Sequence, residues 1–170
     1  SPALLRAKAA GADVLVLHLH AASTVLAVRQ ARQLLPDLPI VAGSAMHQPA
    51  TAALLEPAEL RNVCAETASS PISAGTPEMR AFLEAYRAAY KSDPDAYAAA
   101  QYDAVQMLAH ILKDLGAKAT PETVRARLAS DTYRGIAGTY RSDGKGNMAH
   151  DAEIICYDGK DRVPRIEAHY

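Results

Sequence analysis

The run Asp13-Val14-Leu15-Val16-Leu17 constrains this chain's fold most, because a second apolar run, Ile40-Val41-Ala42, follows it about one helix later. A short continuous apolar run reads as a parallel strand covered on both faces, since a half-exposed strand would alternate with polar residues. Between the two runs, Ser23 or Thr24 can cap a helix whose Val25, Val28 and Leu35 give it a packing face before Pro36 ends it. Strand, helix and strand within about thirty residues make a right-handed crossover. The spacing therefore predicts adjacent parallel strands over 13–19 and 40–42 with a helix over 24–35 packed across them. The fold class is α/β with a parallel sheet. Upstream, Leu4 to Ala10 reads as a helix ending at Gly11.

Composition limits what such a chain can do. With 170 residues, 49 % of them hydrophobic, it can bury one ordinary core. A net charge of −1 with no Lys/Arg cluster argues against a nucleic-acid or anionic-membrane partner, either of which needs a concentrated basic face. The longest apolar windows, such as Val14 to Leu19, are too short to cross a bilayer. The opening LLRAKAAG reads as the inside of a helix, without a charged start or cleavage site, so the expectation is a cut rather than a native end at Ser1. Cys64, in RNVCAE, and Cys156, in EIICYD, read most simply as small buried hydrophobes. A disulfide is allowed in an oxidising compartment, but spacing does not establish it.

Two further helices meet across a short Asp-Pro break. Thr76 can cap the first, Pro77 suits its first turn, and Met79, Phe82, Leu83, Tyr86 and Tyr90 fall on one face. Pro94 ends that pattern, Asp95 can cap the next helix, and Tyr102, Val105, Leu108, Ala109 and Leu112 form a packing stripe with an exit at Gly116. Residues 57–77, with Pro57, Pro71, Gly75, Pro77 and a serine-rich run, read as a connection. Thr120-Pro121-Glu122 caps one more helix. In the tail Thr139–Arg141, Ala152–Tyr157 and Arg162–Ala168 read as short strands.

The stretch Phe82, Tyr86, Tyr90, Pro94, Tyr97, Ala98, Ala99, Tyr102, Asp103 and Ala104 resembles a motif of the type I periplasmic binding proteins of the branched-chain amino-acid class, the substrate-binding proteins of ABC transporters. GADVLVL, the RQAR helix, PIVAG and the tail from Gly135-Ile136-Ala137-Gly138 to Gly146 are similar to the same family. Departures fall at Ser92, Gln101, Ser142 and Gly146. The resemblance implies a three-layer, Rossmann-like parallel-sheet lobe within an incomplete bilobal architecture, corresponding to the family's C-terminal half. In that frame residues 1–70 are part of the second lobe, 71–130 are helices of the first lobe, and 131–170 are returning strands and a lobe crossing. It further implies an extracytoplasmic, periplasmic binding component of an ABC uptake transporter rather than an enzyme. Its partners would be a small organic acid or amino-acid-like ligand, held between the lobes without a cofactor, and a membrane permease. A sensor on the same fold is the alternative, and a small α/β enzyme using His18 and His20 is a third reading.

Ligands of open parallel sheets bind beyond the carboxyl ends of the strands, where loops and helix N-termini converge. That rule selects His18, His20 and Ala21 after the first strand and Ser44, Ala45 and Met46 after the second. Spacing of two on a strand would put both histidines on one face, suiting an anionic ligand, or a metal if His47 and Glu56 joined them. In the family the corresponding positions supply an aromatic group, near His20 or Ala21, and an acid that pairs with the ligand's ammonium group. Here the acid's position falls near Ala45, so the expectation is a carboxylate ligand without an obligatory ammonium group. Catalytic motifs are lacking: Gly43-Ser44-Ala45-Met46 is no nucleophile elbow, Gly138 to Lys145 no P-loop, and Asp143, Lys145 and Asn147 no calcium loop.

Overall fold

The computed structural model describes residues 2–73 and 75–170, so the expectation about Ser1 lies outside the described residues. In chain order the elements are α1 (Pro2–Ala9), β1 (Leu15–Leu17), α2 (Ala21–Leu34), β2 (Ile40–Ala42), α3 (Pro49–Ala52), β3 (Val63–Thr67), α4 (Pro77–Tyr90), α5 (Ala96–Leu115), α6 (Pro121–Ser130), β4 (Thr132–Arg134), β5 (Thr139–Ser142), β6 (Met148–Ala149), β7 (Glu153–Tyr157) and β8 (Arg165–His169). A large sheet runs β1-β2-β3-β7-β8, and a small one runs β4-β5-β6. The chain leaves the large sheet after β3 and re-enters it at β7.

The crossover is present as read: β1 and β2 are parallel, with Leu15, Val16 and Leu17 opposite Ile40, Val41 and Ala42. Its boundaries are narrower. β1 covers three residues rather than 13–19, and α2 starts at Ala21 with His20 as its N-cap, not at Ser23 or Thr24. Thr24 is buried instead, and its hydroxyl donates to the Leu19 carbonyl at 3.2 Å. The strands are also covered on one face only. Leu17, Ala42 and Ala65 are buried, whereas Val16 is 70 % exposed and Val41 38 % exposed. Alternation along each strand sends the second set to the opposite face, which no described helix packs over.

A strand lies where a connection was expected. β3 falls inside residues 57–77 and is parallel to β2 on one side and antiparallel to β7 on the other. Pro57 and Pro71 flank it, and its five residues are too few to announce themselves between two prolines. Its pairing with β7 sets Cys64 opposite Cys156, and the two form a disulfide across 92 residues of sequence. Sequence spacing left this bridge open, because the register that joins the two cysteines is a long-range property; in place of small buried hydrophobes they are a half-buried, bonded pair.

The hydrophobic core belongs to the large sheet. Val28 of α2, Ile40, Val63 and Ile155 of the strands, and Met46, Leu55 and Leu60 of the intervening turns form one buried cluster. Each large side chain buried there contributes roughly 1.5–3 kcal/mol. The helical pair is capped as read. Thr76 accepts from the Met79 amide at 3.3 Å and Asp95 from the Ala98 amide at 2.9 Å, while Gly116, at φ 52°, ends α5. The packing stripe on α5 is a correction: Tyr102, Val105, Leu108 and Leu112 are all exposed, Val105 by 64 %. The Phe82–Tyr102 rings, 5.1 Å between centroids, shelter part of that face, and Leu108 borders a groove with Leu128 of α6 and Met148 of β6.

One buried carboxylate ties the helices to the small sheet. Asp103, 1 % exposed on α5, accepts from the amides of Ile136 and Ala137, each at 2.8 Å, and from the Tyr140 hydroxyl at 3.0 Å. The turn carrying those amides can approach so closely because Gly135 has no side chain; a Cβ there would overlap the Asp103 carboxyl group. Burial, with Asp103 adding to it, holds the Tyr140 hydroxyl well above the usual tyrosine range.

Candidate functional site

Parallel register of β1, β2 and β3 aligns Leu17, Ala42 and Ala65. The next residue on each chain segment is therefore His18, Gly43 and Glu66, a row at the carboxyl ends of three neighbouring strands. Of the three only Glu66 lies within a strand, where alternation puts it on the face opposite Ala65; His18 and Gly43 directly follow the last residues of β1 and β2. Gly43 is held in line by its amide, which donates to the Leu17 carbonyl at 2.9 Å. Its missing side chain leaves a gap that both neighbours flank: the point where a Cβ would sit is 3.1 Å from His18 Nδ1 and 3.7 Å from Glu66 Oε1.

A short 3-10 turn, Ser44–His47, follows with Gly43 as its N-cap. The Ser44 amide donates to Glu66 Oε1 at 3.1 Å, which fixes the start of the turn against β3. The Ser44 hydroxyl and the Tyr97 hydroxyl share a hydrogen bond of 3.2 Å. Tyr97 stands on the first turn of α5, so this contact joins the strand ends of the large sheet to the helical segment. His18, Glu66 and Tyr97 are exposed and Ser44 is half-buried, so the group forms an open shelf. Its chemistry is mixed: the bonded Ser44–Tyr97 pair has one hydroxyl proton left to donate, the imidazole can donate, and one carboxylate can accept.

Behind the shelf the side chains are buried. His47 is 2 % exposed and neither ring nitrogen has a hydrogen-bond partner; Ser69 and Ser70, also buried, have unpartnered hydroxyls. Burial holds the His47 imidazole down to about 4, against the opposing charge of Asp95. Tyr157, buried against this turn, donates its hydroxyl to the Met46 carbonyl at 3.3 Å.

The residues selected from sequence separate into two groups. His18, Ser44 and Ala45 lie at or beside the shelf. His20 is exposed as the N-cap of α2, with no capping bond from its side chain, and Ala21 is that helix's first residue. Because β1 ends at Leu17, His18 and His20 do not share a strand face, which corrects the spacing argument. Met46 is fully buried in the core, so its side chain is packing rather than a ligand contact. Among the described residues no group of three His, Cys, Asp or Glu side chains is placed to hold a metal. Sequence reasoning missed Glu66, because β3 was not recognised as a strand and so had no end. Tyr97 was visible only as part of a helical motif, where packing was the simpler role.

Comparison with known proteins places these features in a wider set. The model of a family described as periplasmic binding protein matches residues 1–161. Among solved structures, the chain is similar to the branched-chain amino acid transporter substrate-binding protein LivJ from Streptococcus pneumoniae, in complex with isoleucine. That match has 27 % identity and a TM-score of 0.79, over 99 % of this chain and 47 % of that one. It shares its fold with a solute-binding protein of an ABC transporter from R. palustris in complex with benzoate, at 17 % identity and TM-score 0.82, over 99 % of this chain and 46 % of that one. An ABC transporter substrate-binding protein from Sphaerobacter thermophilus has the same fold at 19 % identity and TM-score 0.85, over 100 % of this chain and 48 % of that one. The chain thus spans about half the length of each. No curated protein matches the sequence.

Proposed function

The chain belongs to the periplasmic binding protein family, and from that premise we propose that it is the C-terminal part of an extracytoplasmic solute-binding protein serving an ABC uptake transporter, with a small organic acid or amino-acid-like ligand. The observation that carries this reading is the shelf itself, where polar groups from three parallel strand ends meet Tyr97 of α5. Ligands of open α/β sheets sit at such strand ends, and clefts between lobes are where binding proteins close on them.

Three features support it. The chain leaves the large sheet after β3 and returns at β7, which fits a backbone passing between lobes. Apolar faces on β1, β2 and α5 stand uncovered, as they would if a second portion of similar size packed there. The Cys64–Cys156 disulfide suits an oxidising compartment and disfavours a cytoplasmic sensor. The membrane permease partner follows from the transport role alone.

The test is ligand binding by the full-length protein. Thermal shift against a panel of amino acids and small carboxylic acids should give saturable stabilisation by at least one compound, without turnover. Consumption of any panel compound, abolished by His18→Ala, would replace this reading with an enzyme.

A further inference from the structure

Among the described residues, the buried side-chain atoms without a hydrogen-bond partner belong to His47, Thr51, Ser69, Ser70 and Glu153. They gather where the chain leaves and re-enters the large sheet. His47 and Thr51 follow β2, Ser69 and Ser70 follow β3, and Glu153 opens β7, paired across to Thr67. The Ser44–His47 turn packs against β3, and the main chain of Ser69 lies beside the His47 ring, which it does not bond. His47, Ser69 and Ser70 are 2 %, 3 % and 0 % exposed within this chain alone, so a further portion of the protein packed outside cannot reach them.

The surrounding backbone is firmly held. The Thr67 hydroxyl donates to the Ser69 carbonyl at 2.9 Å, the Ser73 amide to the Ser70 carbonyl at 3.0 Å, and the Ser73 hydroxyl to the Pro164 carbonyl at 2.6 Å. On the other side the Met46 amide donates to the Gly43 carbonyl at 3.0 Å, and the Met46 carbonyl accepts from Tyr157. The ring and the hydroxyls are thus fixed in place without partners, whereas buried polar groups in native proteins are almost always paired. We infer that an internal water site lies between His47 and the Ser69–Ser70 segment, joining the turn of the shelf to the chain that leaves the large sheet. A neutral imidazole offers one N–H and one bare nitrogen, and each serine hydroxyl both donates and accepts. A buried water, which makes about three hydrogen bonds, answers both kinds of group. A cation fits less well. Burial keeps the His47 ring neutral, and Asp95, whose charge acts on it, already accepts the Ala98 amide. Among the described residues no three His, Cys, Asp or Glu side chains are placed to hold a metal.

Crystallography of the full-length protein at high resolution, with no ligand added, tests the site. The expected result is an ordered water about 3 Å from a His47 ring nitrogen and from the Ser69 or Ser70 hydroxyl. In solution, deuteron magnetic relaxation dispersion counts long-lived internal waters: His47→Leu should lose at least one relative to wild type, whereas His47→Gln, which keeps a donor and an acceptor, should retain it. An empty space beside His47, or a His47 ring bonded directly to a serine hydroxyl, overturns the inference. So does an unchanged water count in a folded His47→Leu variant. None of these outcomes touches the binding-protein reading, because the site is internal to this chain.

Discussion

Asp103→Asn is the most informative single change outside the shelf, because it alters one atom of a buried group that receives three donors. Ile136 donates to Oδ1, and Ala137 and Tyr140 donate to Oδ2. Asparagine keeps only one oxygen. The best orientation places that oxygen under Ala137 and Tyr140 and turns the NH2 toward the Ile136 amide, so two donors face each other. The variant loses one charge-assisted bond outright, weakens two others by removing the charge, and leaves a part-buried amide unpaired. Such losses sum to roughly 2–4 kcal/mol. For a chain of this size that lowers Tm by roughly 5–15 °C. Thermal and urea unfolding followed by circular dichroism measure it, and amide exchange at Ile136 and Ala137 should accelerate selectively. A double-mutant cycle with Tyr140→Phe should show coupling, since both side chains act on one carboxylate. If Asp103→Asn unfolds within about 0.5 kcal/mol of wild type, α5 is not held to the small sheet by this clamp.

Three further expectations follow the same contacts. Gly135→Ala should destabilise by a similar route, as its Cβ must push against the Asp103 carboxyl, and it should add little in the Asp103→Ala background, where the space is vacated. His47 is held neutral by burial down to about 4 from the ordinary 6.5, so the unfolded chain takes up its proton first. Stability should therefore fall as pH drops from 6.5 through 4, by about 2 kcal/mol at pH 5 from this group alone, and His47→Gln should lack that part of the slope in pH-dependent urea titrations. Reducing the Cys64–Cys156 bond, which closes a separation of 92 residues, should cost about 2–4 kcal/mol in unfolding measured with and without dithiothreitol; an unchanged midpoint would mean the β3–β7 ladder gains nothing from the link.

Local signals in the sequence were sufficient wherever a few adjacent residues decide the outcome. The crossover followed from two apolar runs and the intervening helix length, and the caps Thr76, Asp95 and Thr120 followed from side chains that satisfy amides three residues on. The family motif from Phe82 to Ala104 was legible for the same reason. Tertiary structure decided what depends on partners distant in sequence. Whether Val16 and Val105 are covered depends on neighbours that periodicity does not count, and both proved exposed. The disulfide needed the β3–β7 register, and the role of Asp103 needed a turn more than 30 residues away. Glu66 shows the difference most sharply: nothing about a glutamate between Ala65 and Thr67 marks it, and it reaches the shelf only because three strands stack in register around a glycine. Local chemistry fixes which segments become helices and strands, but a binding surface is made of strand ends. Those meet only after the long-range pairing is complete.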